Sequence, residues 1–314
     1  MTTCIICKGE NPISELNSLT DGHIVPEFIG GSLKVKNVCK VCNSKMGAGF
    51  EGKLANSLFY KLPRFLHNIE GKQGNLSTPF SGVYEDVDIG KFQTLPNGDL
   101  YLIPDIKINN TGSGVEILMS IDKSDLTKAE KYLEKKLSRH FKTEGKEVNK
   151  EKLSKLVSEL IENAEKGHKK KESPQIAGKI SLDFISQVML YTKIAYELAI
   201  YHFDEKYIND PIANKLRLVI KNQEPDKTIY WQFLAEKQSY NVFFDDEHHW
   251  VLFFHNVCFI KLFGLSALIE FTEKGSSFVE KEGVVYKFCY KTLSFIKLPL
   301  MEQISQTNQS TRSV

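Results

Sequence analysis

The 314 residues are 41% hydrophobic and 25% charged with a formal net charge of +2, which describes a soluble globular chain and excludes both a uniformly basic nucleic-acid binder and a disordered polyanion. No basic stretch followed by an apolar one opens the sequence, and the most apolar later run, "WVLFFHNVCFIKLFGLSALIEF", is interrupted by His255, Asn256 and Lys261. A secretory signal and a membrane span are therefore not expected, and a cytoplasmic location is.

Residues 1 to about 50 are short, glycine-punctuated and cysteine-bearing, too small to bury much apolar surface without a staple. Cys4 and Cys7 form one CxxC pair and Cys39 and Cys42 another. In a reducing compartment this spacing means metal, and two such pairs complete a tetrahedral, closed and hence structural Zn2+ site. Between them "HIVP" reads as a strand stopped by Pro26, "GGS" as a turn, "LKVKNV" as a returning strand and "CNSKMGAGFEGKL" as the opening of a helix. From Ala48, apolar residues at Phe50, Leu54, Leu58 and Leu62 predict a helix that Pro63 interrupts. Short strands follow, with "PNGD" as a hairpin turn.

The charged segment 124–171 predicts two helices, the first capped by Ser124 or Asp125 and separated from the second by Gly145, with "GHKKKESP" as a linker. Its lysines read as a solvated face or as non-specific phosphate contacts. "SLDFISQVMLYTKIAYELAIYHF" is apolar around nearly its whole circumference and predicts a buried central helix, and "DPIANKLRLVIK" a further short one. Residues 228–298 return to strands, with Cys258 and Cys289 as buried small hydrophobes, and the polar tail 301–314 is expected to be disordered. The whole is an α+β chain: a zinc-bound module at 1–72, then a mixed region with antiparallel strands at 73–300, helical over 124–222. "FDDEHHW" at 244–250 offers carboxylates and two histidines, but in no metal-binding spacing, and reads as turn content.

Asp21, His23, Ile24, Pro26, Gly30, Gly31, Asn37 and the run Cys39, Cys42, Asn43 stand in one order that resembles the HNH, or ββα-metal, endonucleases, in the subset clamped by two CxxC pairs. The resemblance implies metal-dependent hydrolysis of DNA, double-stranded above all, and contexts such as antiphage defence or mobile elements; homodimerisation or a regulatory partner stays open. It implies His23 as general base, Asn37 as an orienting residue beside it, and Asn43 with Asp21 as ligands of a catalytic Mg2+ or Mn2+. Lys45 is a candidate phosphate contact. The chain departs from the family at Gly22, where an acid usually precedes the histidine. A bulge at Gly22 could re-aim Asp21, or Glu27 or Glu51 could supply the carboxylate. The competing reading is a zinc ribbon that only binds nucleic acid or a protein, with Asn43 as a helix cap.

Overall fold

In the computed structural model, described over residues 3–70, 79, 82–86, 90–95, 99–111, 114–145, 149–167, 182–234 and 244–312, the chain opens with the expected hairpin and helix. Strands β1 (Leu19–His23) and β2 (Lys34–Cys39) pair antiparallel, and α1 (Lys40–Met46) follows directly. The chain continues through Gly47–Glu51 into α2 (Gly52–Asn56) and α3 (Leu58–Leu66). The helix break falls at Ser57, not at Pro63. Ser57 is extended, its hydroxyl donates to the Leu54 carbonyl at 2.7 Å, and its own carbonyl starts α3 by accepting from Lys61; Pro63 lies inside that helix.

Two compact units result, 1–79 with 180–314, and 80–179. These boundaries differ from the expected division at residue 72. The reason is that Ile5, Ile24, Val25, Ile29, Phe50 and Tyr60 do not close on themselves but share one apolar cluster with residues beyond 188. A segment of this size lacks the volume to cover both sides of its own hairpin.

The inserted unit contains a three-stranded antiparallel sheet of β3 (Val83–Asp86), β4 (Gly90–Thr94) and β5 (Leu100–Leu102). Pro96–Gly98 of the predicted turn lie outside the described residues, flanked by the pair Thr94 and Leu100. A second hairpin, β6 (Asp105–Thr111) and β7 (Gly114–Ser120), packs Ile106, Ile108, Ile117 and Met119 among Leu133, Leu137, Leu153 and Val157 of α4 (Ala129–Thr143) and α5 (Lys150–Glu162). Asp122, not Ser124 or Asp125, supplies the cap: it accepts from the Ser124 N–H at the head of the 3-10 turn Lys123–Lys128 that leads into α4, while Asp125 is engaged by Tyr101, Tyr132 and Lys128. Residues 168–174 of the expected linker lie outside the described residues.

In the larger unit, α6 (Phe184–Phe203) is buried continuously from Ser186 to Ile200, and α7 (Pro211–Asn222) begins on an Asp210 cap. Strands β8 (Trp231–Leu234), β9 (His249–His255), β10 (Val257–Leu262), β11 (Leu265–Glu270), β12 (Glu280–Cys289) and β13 (Ser294–Pro299) form one antiparallel sheet in the order 13-12-9-10-11-8. Alternation sorts its two faces: Val251 and Phe253 join the cluster with α6 and α7, whereas Trp250 and Leu252 join Phe259, Val285 and Leu298. The polar tail is not disordered but continues as α8 (Leu300–Arg312), anchored where Leu300 packs beside Gly283 of β12 and Gln303 is buried. Among the described residues no helix is long and apolar enough to cross a membrane.

Candidate active site

Cys4, Cys7, Cys39 and Cys42 are all buried, and their sulfurs lie within 4.8 Å of one another. Cys7 Sγ and Cys39 Sγ are 3.9 Å apart, close to the ~3.8 Å edge of a tetrahedron with metal–sulfur bonds of about 2.3 Å. A hydrogen bond from Cys42 lowers the Cys4 thiol to about 4, while the bond to Cys4, together with burial, drives Cys42 far up and burial raises Cys39. One thiolate thus opposes the next, and a dication bound by all four removes the conflict. The donor set and spacing fit Zn2+. Around it, Asn11 Nδ2 donates to Cys42 Sγ at 3.6 Å, and Asn17 Oδ1 accepts the Val41 N–H at the start of α1.

The module is tied to the rest of its unit by polar contacts. Tyr196 of α6 donates to the Ile5 carbonyl at 2.9 Å and Arg217 of α7 to that of Ile6 at 2.9 Å. The Gly30–Gly31 turn is packed too tightly for side chains: a Cβ at Gly31 would come within 1.7 Å of the Val25 carbonyl oxygen, and Gly30 has φ +84°. His249 Nε2 donates to the Ile29 carbonyl at 2.7 Å, and burial lowers its pKa to about 4, so the ring is neutral.

The strands slip register beside His23. Thr20 faces Val38 but Gly22 faces Val35, so Asp21 alone opposes Lys36 and Asn37, and the extra residue sits on β2 rather than at Gly22. Asp21 is exposed while Gly22 is buried. A Cβ on Gly22 would lie 3.9 Å from Asn43 Oδ1, with nothing nearer than the Val35 carbonyl at 3.8 Å. The position that carries the family's acid therefore looks at the Asn43 side chain. Asn43 is not a helix cap; that place belongs to Cys39. Glu27 brings Oε2 to 3.9 Å from His23 Nδ1. Glu51 is instead half-buried and paired with Lys193, 3.1 Å away, which removes it as a free carboxylate. Asn37 is buried, its backbone carbonyl accepts from Ile5 at 3.0 Å, and its amide oxygen lacks a hydrogen-bond partner. Lys45, the candidate phosphate contact, is exposed; its amine donates to the Lys221 carbonyl at 2.7 Å, and its own carbonyl accepts from Gln223.

Elsewhere, "FDDEHHW" is a set of ion pairs and a latch. Asp246 pairs with Lys261 at 2.7 Å, Glu247 with Lys291 at 3.2 Å, and Asp245 with His248 at 2.7 Å. Among the described residues the four cysteines are the one grouping of three or more His, Cys, Asp or Glu with metal-binding spacing. Cys258 is fully buried, and Cys289 is partly exposed.

Two antiparallel strands and a helix closed over four cysteines define a zinc-knuckle ββα module. Residues 4–59 match the HNH endonuclease family, and at the level of that family the match supports a nuclease. No curated protein and no solved structure matches the chain.

Proposed function

We propose that the chain is a metal-dependent endonuclease that hydrolyses phosphodiester bonds of double-stranded DNA at the Gly22–His23 end of β1. Two observations carry this reading: the Glu27 carboxylate lies 3.9 Å from His23 Nδ1, and the Asn43 amide oxygen faces Gly22, the residue next to His23. Glu27 favours a proton on Nδ1, which leaves Nε2 to take the proton of an attacking water. Histidine suits that task because its side chain can take up and release a proton near neutral pH. Asn43 with a carboxylate, Asp21 or Glu27, offers hard oxygens, which fit Mg2+ or Mn2+ and not a second zinc. When bound, such a cation offsets charge on the scissile phosphate and the leaving 3′ oxygen. Asn37 supports the hairpin opposite Asp21, through its backbone bond to the first zinc knuckle. The glycine at 22 favours a second reading, a ribbon that binds nucleic acid without cutting it.

A plasmid assay with Mg2+, Mn2+ or EDTA decides between them. Wild type is expected to nick in an EDTA-sensitive way, and folded, zinc-loaded His23→Ala to be slower by about 10²–10⁴-fold. Equal rates would overturn the role of His23, and binding without cleavage under any divalent ion would favour the ribbon.

A further inference from the structure

Beneath the end of β1 lies a charge supplied by the middle of the central helix. Lys193 of α6 is 3% exposed, within a stretch buried from Ser186 to Ile200. Its amine donates to the backbone carbonyl of His23 and, at 3.2 Å, to that of Ile24. It also pairs with Glu51 at 3.1 Å and with Glu197, one turn along α6, at 3.5 Å. Burial alone would pull the amine down, but Glu197 and Glu51 outweigh it and hold the ammonium form.

Successive carbonyls of an extended strand point in opposite directions, so two of them reach one amine only where the backbone leaves the strand. β1 ends at His23, and the chain bends at Ile24 and Val25. We propose that Lys193, with Glu51 and Glu197 as its counter-charges, is a positioning residue for His23, fixing the bend that aims the imidazole. The inference rests on the endonuclease reading for its kinetic consequence, though not for its structural one. A site that needed only filling would take a leucine or methionine, without burying an ammonium and two carboxylates. Both partners of the amine are specific: one side is the backbone of the proposed base, the other is charge delivered from two helices.

The test replaces the whole cluster, because Lys193→Met alone leaves two buried carboxylates unpaired. In the variant Lys193→Met/Glu51→Gln/Glu197→Gln, the expected result is one zinc per chain, KM for a DNA duplex within about twofold of wild type, and kcat per folded molecule lower by about 10²-fold, as a displaced base gives. Selective histidine labelling, assigned with His23→Ala, is expected to show the His23 ring resonances shifted or broadened. Wild-type kcat with unchanged His23 resonances overturns the proposal. If wild type itself cleaves nothing, the endonuclease reading has failed, and the His23 resonances alone decide the positioning role. Should the triple variant not fold, Lys193→Gln/Glu51→Gln/Glu197→Gln, which leaves no carboxylate unpaired and whose shorter side chain cannot hold both carbonyls, is read the same way; failure of both to fold assigns Lys193 to stability alone and overturns the proposal.

Discussion

The ββα module and the α4–α5 hairpin are segments of similar size held together by different forces. The hairpin relies on leucines and a valine at helical spacing, closed by four residues of β6 and β7, all within one stretch of chain. The module relies on four sulfurs and on partners from far along the sequence, both the apolar residues from 188 on that cover Ile5, Ile24 and Phe50 and the polar side chains of Lys193, Tyr196, Arg217 and His249. Local apolar periodicity builds a unit that closes itself. A metal knot too small to cover its own apolar residues needs an outside wall, and the chain folds back after the inserted unit to supply it.

Three comparisons probe that contrast. The largest effect is expected at the knot: Cys39→Ser should lose the zinc and with it folding free energy on the order of 10 kcal/mol, read by metal content and thermal unfolding. Retention of one zinc and the wild-type melting temperature would remove the staple from the account. Next comes the close approach at the turn. Gly31→Ala drives a methyl into the Val25 backbone and should cost about 3 kcal/mol or more, whereas Gly145→Ala, with φ +72° but open space, should cost about 1–2 kcal/mol in urea unfolding. Equal costs would mean that the module yields as easily as an exposed helix end.

The third concerns the wall's buried charge. Burial, opposed by Lys193, raises the Glu197 carboxyl to about 7, so its part as a counter-charge to Lys193 belongs to the ionised form above that pH. The folded chain then holds this proton more tightly than the unfolded chain, so its stabilising contribution is complete below about pH 4.5 and is lost as pH rises through 7. Glu197→Gln cannot titrate. Between pH 5 and 8 wild type should therefore lose stability relative to Glu197→Gln, by about 1–3 kcal/mol in denaturant titrations. A difference that stays flat with pH would show that the carboxyl is ionised throughout.

Much of this organisation was legible in the residues. Paired cysteines, a strand stopped before Pro26, a Gly-Gly turn and a CxxC that opens a helix each carry local geometry, and they assemble into the observed ββα unit. The all-round apolarity of α6 correctly announced burial, and alternation announced the strands. What could not be read depends on partners distant in sequence. Nothing in the sequence around Lys193 and Glu197 signals their partners at His23, Ile24 and Glu51, and His249 looked like turn content until the Ile29 carbonyl was placed beside it. Nothing local to Lys45 showed that its amine would donate to the end of α7. The polar tail likewise became helical because its first turn is held by Leu300 and Gln303, a contact absent from its own composition. Gly22 did flag a register slip, but the extra residue went to β2.

The long return of the chain to its own beginning also sets an order of events during synthesis. The cysteines emerge first, whereas Lys193, Arg217, His249 and the Tyr290 that packs on Gly30 come later, Tyr290 roughly 230 residues after the end of the module. At about 5–20 residues per second that interval is roughly 10–50 s. A nascent chain can thus carry its four cysteines before the wall behind His23 exists, and on the ribosome the Gly30 turn, which waits for Tyr290, is the last part of the module to be covered.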